Sequence, residues 1–226
     1  MSSVRIAIGT LALSLLLAHA SNAQGRSPQS RAASPPRTAL GIHGFADLGS
    51  TSFTASESFE TILGSSSGMV FGGGGEVVLP MNVFIGIRAS RFHHTGHRVF
   101  LSEGERFDVG INTSVTVRPL EITGGYRFAA PRARVVPYAG AGIGWHRYQE
   151  TSEFATNTET VDETSRGYHV VGGAEVRIRR WIGAAGEAQW TSVPDALGTN
   201  RTGVSSAFNE TNLGGATLRA KVVIGR

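Results

Sequence analysis

The sequence contains no cysteine, and Lys221 is the one lysine among its 21 basic residues. Without cysteine, neither a disulfide framework nor a thiolate metal site can form. Charged residues make up 17% of the chain, which is below the roughly 25% of ordinary soluble domains. The basic residues are scattered without a continuous patch, so we expect no nucleic-acid partner.

Long apolar runs and helical periodicity are also missing. After the N-terminal region no segment has enough consecutive apolar residues for a transmembrane helix, which needs about 20. No long segment repeats apolar residues at the i, i+3, i+4, i+7 spacing of an amphipathic helix. These two absences direct attention to β-structure.

The N-terminus has the features of a secretory signal peptide. Arg5 precedes an apolar run over 6–18, and small residues precede a cleavage point after Ala23. We therefore predict a signal peptide over 1–23, with a retained N-terminal anchor as the alternative. A Pro-, Ser- and Arg-rich stretch over 24–38 has no periodicity and predicts a flexible leader. Residues 39–226 then form the folded domain of an exported protein.

Alternation of apolar residues with polar residues or glycine dominates this domain. In "VPYAGAGIGWHRYQE" (136–150), Gly140, Gly142 and Gly144 fall on one face, and Ala141 and Ile143 on the other. Period-two segments of this kind predict half-buried strands. Eight such segments occur, at 40–49, 68–79, 83–94, 114–128, 138–149, 167–178, 181–191 and 212–224.

The connections between these segments differ at the two ends. Three are short ("PMN", "APRARVVP" and "RRW"), and four are long and polar, at about 50–67, 95–113, 150–166 and 192–211. Short turns at one end and long loops at the other are typical of bacterial outer-membrane barrels. Aromatic residues near both segment ends predict two membrane-interface bands. The predicted interface aromatics are Tyr126, Phe128, Tyr138 and Trp181 beside the turns, and Trp145, Tyr148 and Trp190 near the loops.

The charged residues decide which face of each strand points inward. An Arg or Lys facing lipid at the bilayer midplane costs about 2–4 kcal/mol, so the apolar face must be outside and the charges inside. An eight-stranded barrel has an interior just wide enough for side chains to fill, and buried charges persist when they are paired. The predicted lumen network comprises Asp47, Glu76, Arg88, Glu121, Arg127, Glu175, Arg177, Glu187, Arg219 and Lys221.

Four stretches carry a resemblance to a known family: "PLEITGGYRF", "VPYAGAGIGWHRY", "VVGGAEVRI" and "LRAKVVIG". With these stretches the chain resembles the small eight-stranded outer-membrane β-barrel family, which includes the OmpA transmembrane domain and OmpX-like proteins. The resemblance implies an all-β fold, an eight-stranded antiparallel up-and-down transmembrane β-barrel over 39–226. One departure is the end of the chain, "VVIGR", where the family's last strand usually ends in an aromatic residue.

The resemblance also implies a location and partners. We expect the bacterial outer membrane, termini in the periplasm and loops outside. The expected contacts are outer-membrane lipid and lipopolysaccharide, with periplasmic chaperones and the barrel-assembly machinery during insertion. We expect a monomer without a cofactor, no periplasmic peptidoglycan-binding domain after the barrel, and an extracellular ligand that the sequence does not identify.

The predicted function is non-enzymatic, a structural or surface-interaction role carried by the loops. An outer-membrane enzyme similar to lipid A deacylase is one alternative, but "HHTGH" lacks its His-x-Ser-Asn stretch, and no serine with an orienting acid is evident beside His146 and His169. A metal site at His93, His94 and His97 is disfavoured, because on a strand the outer two stand roughly 13 Å apart.

Two further alternatives concern the barrel itself. A soluble lipocalin-like barrel would also alternate, but with its apolar face inward around a ligand. A diffusion pore would need an open lumen, which eight strands with a filled interior do not leave.

Overall fold

A computed structural model describes residues 40–102, 105–130, 133–152, 161–196, 208 and 210–225. The predicted signal peptide and leader lie outside the described residues. Within the described ranges, alternating residues form eight strands, one short helix and one 3-10 turn over Pro80–Asn82. These elements are β1 (Gly41–Phe53), α1 (Ser56–Leu63), β2 (Ser67–Val78), β3 (Val83–Ser102), β4 (Glu105–Arg127), β5 (Val135–Ser152), β6 (Val161–Arg177), β7 (Ile182–Ser192) and β8 (Gly215–Gly225).

The strands form a closed antiparallel barrel. Each strand pairs with the next along the chain, and β8 returns to pair with β1, where Asp47 lies opposite Lys221. Closure leaves no sheet edge with unpaired backbone groups, which a membrane requires. The predicted all-β, eight-stranded up-and-down fold is confirmed.

The described parts of two predicted loops are strand. The β3–β4 hairpin includes 95–102 and 105–113, and the β5–β6 hairpin includes 150–152 and 161–166, where the prediction had placed irregular loops. Polar pairs support the extensions: Thr95 Oγ1 lies 3.2 Å from Ser114 Oγ, and Arg147 binds Asp162. Residues 150–166 are mostly polar, so their composition resembled a loop, whereas in 95–113 the alternation of Phe107, Val109 and Ile111 with polar residues or glycine was missed.

The outer surface of the barrel is apolar around its waist. Side chains predicted to face outward are exposed, such as Ile42 (61%), Met69 (63%), Ile87 (52%) and Leu218 (66%). In water such a continuous belt would be unfavourable, so the belt requires apolar surroundings. In the described part of the chain, no helix is long and apolar enough to cross a membrane.

The loop-side end of the interior is apolar. Phe53 stacks on Phe59 of α1 at 4.3 Å between ring centroids, and Phe92 meets Phe53 edge-on. Glu210 holds the first turn of α1, because its carboxylate accepts hydrogen bonds from the backbone N–H groups of Glu57 and Ser58. The buried members of this apolar cluster are Phe53, Ala55, Phe59, Phe92, Val115, Val117, Tyr148, Val193, Ala196 and Leu213. Below it, toward the turns, the interior is polar.

Candidate functional site

Glu187 lies at the centre of the polar interior and binds three side chains. Its carboxylate is 2.6 Å from Arg88 Nη2 and 2.7 Å from Lys221 Nζ, and it accepts a hydrogen bond from the Tyr138 hydroxyl at 2.9 Å. Arg88 is on β3 and Glu187 on β7, strands that are four apart in both directions around the barrel. The ion pair therefore crosses the full width of the lumen.

Gln189 connects a second group of charges. Its amide oxygen accepts hydrogen bonds from Arg88 Nη1 (3.0 Å) and Arg219 Nη1 (2.6 Å), while its Nε2 donates to Glu121 at 2.6 Å. Asp47 approaches the same two guanidinium groups, at 3.2 Å from Arg88 Nε and 3.8 Å from Arg219 Nε. Gln189 was absent from the predicted network, although its period-two position beside Glu187 places it on the same inward face.

A third group lies toward the short turns. Arg127 forms ion pairs with both Glu76 and Glu175, which come from β2 and β6. His43 Nδ1 lies 3.0 Å from Glu76 Oε1. This group joins strands β1, β2, β4 and β6 on the turn side of Glu187.

Apolar ring faces support the cations of the lumen. Lys221 Nζ lies 4.4 Å from the centroid of Phe45 and 5.3 Å from that of Tyr138. Arg88 also lies over the Phe45 ring, at 5.3 Å. Such contacts attract a cation to the negative face of the ring, and they fill the space that the ion pairs leave.

Arg177 does not belong to the buried network. Its side chain is exposed at the turn end of the barrel, whereas the other nine predicted lumen residues are buried or half-buried. Arg177 is the last residue of β6, so its inward position falls at the opening rather than between layers of side chains. The prediction that it pairs inside the lumen is corrected accordingly.

Tyr138 and Tyr148 were predicted to face the membrane interface, and both predictions are wrong. Both side chains point into the barrel, with 7% and 8% of their surface exposed. Each lies an even number of residues from Gly142, so each shares the inward face of β5. Inside the barrel, the Tyr138 hydroxyl donates a hydrogen bond to Glu187, and Tyr148 packs in the apolar cluster.

The remaining predicted interface aromatics lie on the outer surface. Tyr126, Phe128 and Trp181 are exposed at the turn end, while Trp145 and Trp190 lie toward the loops. Trp181 and Trp190 are nine residues apart, about 30 Å along an extended chain. A strand tilt of about 35–45° shortens this to a height close to the ~25 Å apolar band of outer-membrane barrels.

Two histidines flank Glu121 beneath the apolar cluster. His146 Nε2 and His169 Nδ1 each lie 3.8 Å from Glu121 Oε1, and His169 Nε2 is 2.8 Å from the Thr123 hydroxyl. A cavity of about 50 Å³ touches Glu121 and His146, which is room for a few buried waters. The side chains are almost fully buried, so the group suits internal hydrogen bonding more than contact with a bulky substrate.

The three histidines considered as a metal site are spread along β3. His93 Nδ1 lies 2.9 Å from the Thr116 hydroxyl, and the His94 ring stacks on Phe92. The side chain of His97 lies outside the described residues. Among the residues that the structure describes, no group of three His, Cys, Asp or Glu side chains is arranged to hold a metal ion.

Comparison with known proteins gives one family. The family described as "Outer membrane protein beta-barrel domain" matches residues 10–209 of this chain. No curated protein is a significant match to the sequence.

Solved structures with a similar fold include three barrels. Neisserial surface protein A shares 12% identity at a TM-score of 0.49, covering 82% of this chain and 96% of its own. The N-terminal barrel of Pseudomonas aeruginosa OprF shares 12% identity at a TM-score of 0.42, and the match covers 81% of this chain and 97% of that one. Pseudomonas aeruginosa OprG shares 14% identity at a TM-score of 0.44, and the match covers 82% of this chain and 92% of that one.

Proposed function

Because the chain belongs to the outer membrane protein beta-barrel domain family, we propose that this outer-membrane protein is a non-enzymatic barrel whose filled interior makes it a rigid support for its outer loops. The observation that carries the proposal is the ion pair of Arg88 with Glu187, which crosses the lumen and is joined there by Lys221 and Tyr138. A lumen closed in this way supports a scaffold and opposes a pore.

The loop-side end supports the same role. There α1 packs onto the apolar cluster through Phe59, and Glu210 anchors its first turn. Apolar packing at this end holds the base of the loops to the barrel wall. Extended hairpins and loops on a rigid barrel present a fixed surface to partners outside the cell.

The buried Glu121, His146 and His169 do not favour an enzyme. Among the described residues, the hydroxyl in contact with these histidines is that of Thr123, and no serine or cysteine is bound to either ring. A hydrolase needs a nucleophile within hydrogen-bond reach of its base, and a bulky lipid substrate needs access that the apolar cluster blocks. These points support a structural use of the two histidines.

Single-channel recording in planar bilayers tests the filled lumen. We expect no steady conductance from the wild-type protein. As a control, Arg88→Ala with Glu187→Ala removes the crossing pair, and we expect measurable openings from that variant. A regular open-channel current from the wild-type protein would overturn the closed interior.

Complementation tests the scaffold role. A strain lacking the protein is supplied with the wild-type chain or with one shortened by residues 153–160, which connect β5 to β6 in sequence. We expect both chains to fold and the shortened chain to lose binding to the surface partner. Release of fatty acid from purified lipopolysaccharide by the wild-type protein would refute the non-enzymatic assignment.

A further inference from the structure

The turn end of the barrel contains a cavity of about 350 Å³. It is lined by His43 and Glu175 on its inner side and by Arg177, Arg179 and Arg180 at its rim. This volume is about sevenfold that of the internal cavity beside Glu121, of about 50 Å³. A small polar headgroup fits such a space.

Two glycines in the wall of this cavity let neighbouring groups approach closely. A Cβ on Gly183 would lie 2.9 Å from Glu175 Oε1, and a Cβ on Gly225 would lie 2.2 Å from the carbonyl oxygen of Ile42. Gly183 belongs to β7 and Gly225 to β8, and both line the cavity. Glycine at these positions therefore lets the Glu175 carboxylate lie against β7 and the β1 backbone lie against β8 at the cavity wall.

The rim carries an excess of positive charge. Glu175 is neutralised by Arg127, which it binds inside the barrel. Among the described residues, none of the rim arginines Arg177, Arg179 and Arg180 forms an ion pair, and all three side chains are exposed. The rim can therefore attract an anion from outside the barrel.

A neighbouring turn adds a fourth arginine to this end. The N–H of Arg177 donates a hydrogen bond to the carbonyl oxygen of Arg134 at 2.8 Å, so the β4–β5 connection lies against the end of β6. The β6–β7 turn is held as firmly, because the N–H groups of Ile178 and Arg179 both donate to the Ile182 carbonyl oxygen. Backbone hydrogen bonds therefore fix the positions from which these arginine side chains extend.

An apolar surface adjoins the arginines on the outer wall. Ile178 is 62% exposed and Trp181 is 57% exposed, and they flank Arg179 and Arg180 in sequence. Trp at this level sits at the membrane–water interface. A ligand at this place therefore meets cations on one side and an apolar, aromatic surface on the other, which suits a molecule with a phosphate and acyl chains.

From this juxtaposition we propose that the turn-end cavity binds the anionic phosphate headgroup of a phospholipid, with the rim arginines on the phosphate and the acyl chains along Ile178 and Trp181. Guanidinium groups match phosphate oxygens by paired N–H donors. Short turns of outer-membrane barrels face the periplasm, so the bound lipid belongs to the leaflet on that side. The proposal does not depend on what the outer loops contact.

Native mass spectrometry of the folded full-length chain in detergent tests the site. The probes are phosphatidylglycerol and phosphatidylcholine with identical acyl chains at equal mole fraction. We expect phosphatidylglycerol to be retained more strongly. The double variant Arg179→Gln with Arg180→Gln should weaken its retention about tenfold or more, since each basic residue near an anionic lipid surface contributes about a factor of five.

A matched variant separates this site from general charge effects. Arg118→Gln with Arg166→Gln removes two exposed arginines from the loop half of the barrel, and we expect it to retain lipid like the wild type. Folding of all variants is checked by the different gel mobility of unheated and boiled samples. Equal loss in both double variants, or no loss in either, would overturn the proposal.

Competition with free glycerol phosphate tests whether the cavity binds the phosphate of a lipid or that of a soluble compound. We expect it to displace phosphatidylglycerol only at large excess, because it lacks acyl chains for Ile178 and Trp181. Displacement at equal concentration would assign the cavity to a soluble phosphate compound and refute the lipid. Lipid retention by the wild type that does not differ between the two headgroups would refute the anionic site itself.

Discussion

Gly142 and His169 lie opposite each other in the β5–β6 pairing, and the His169 ring occupies the space where a side chain at position 142 would stand. A Cβ on Gly142 would lie 2.6 Å from two atoms of that ring and 2.0 Å from the carbonyl oxygen of Ile122. The glycines of β5 therefore accommodate specific neighbours: Glu121 adjoins Gly144, and Phe84 adjoins Gly140.

Gly142→Ala should destabilise the folded barrel, because the added methyl group must displace the His169 ring and part of the backbone. Overpacking of this kind costs about 1–3 kcal/mol. The measurement is the urea dependence of the folded fraction in lipid vesicles, read from gel mobility. Gly124→Ala is the matched control, since a Cβ there has nothing within 4 Å. Equal midpoints for the two variants would contradict the close packing.

Ile122→Arg should impair insertion, because Ile122 lies on the outer face between Ile87 and Ile143 of the neighbouring strands. A lipid-facing arginine near the midplane costs about 2–4 kcal/mol. Folding yield in lipid vesicles measures the effect. Met81→Arg, at a turn residue that is 84% exposed, should fold like the wild type. A soluble barrel in detergent-free buffer would show no difference between the two.

Glu187→Gln should leave Lys221 and Arg88 without their shared carboxylate. Removing one partner of a buried ion pair costs about 3–5 kcal/mol. The folded fraction of this variant should therefore fall at a lower urea concentration than that of the wild type. Glu163→Gln, at an exposed position, serves as the control. Adding Lys221→Met to Glu187→Gln should restore part of the loss, since it removes one of the unpaired charges. Lys221→Met is also measured alone. A double variant that loses more stability than the summed losses of Glu187→Gln and Lys221→Met would argue against direct pairing.

Asp162 should stay ionised down to about pH 2. The hydrogen bonds from Arg147, at 2.8 Å and 2.5 Å, lower the pKa of Asp162 from 3.8 to about 2. Because the pKa of Asp162 is lower in the folded state, the pair stabilises the β5–β6 extension fully at pH values above 3.8. This stabilisation is lost as the pH falls through about 2. Carboxyl NMR titration measures this midpoint. Arg147→Gln should move it upward, and an unchanged midpoint would show that the pair does not form.

Alternation along the chain was sufficient to predict eight strands and the facing of most of their residues. It works because a one-residue shift moves every side chain to the other side of the sheet, and the charged residues mark the inner side. The same rule places Tyr138 and Tyr148 inside; their prediction as interface residues followed their position near strand ends and neglected their parity with Gly142.

Other features depend on three-dimensional detail that periodicity does not carry. Gln189 becomes a hub because Arg88 arrives from the opposite wall, a pairing that depends on barrel closure and shear. Arg177 stays outside the network because β6 ends there. Residues 56–63 form a helix whose first turn is bound by Glu210, which lies far along the chain.

The pair of Arg88 and Glu187 across the lumen has a consequence for the route to the folded state. In a sheet that lacks β7 and β8, Arg88 has neither Glu187 nor Gln189 to bind, and in one that lacks β1, Arg219 and Arg88 lose Asp47. Each incomplete sheet therefore carries unpaired charges that water or a chaperone must solvate. We expect the barrel to close in a single cooperative event, with no half-built sheet resting stably in the hydrocarbon.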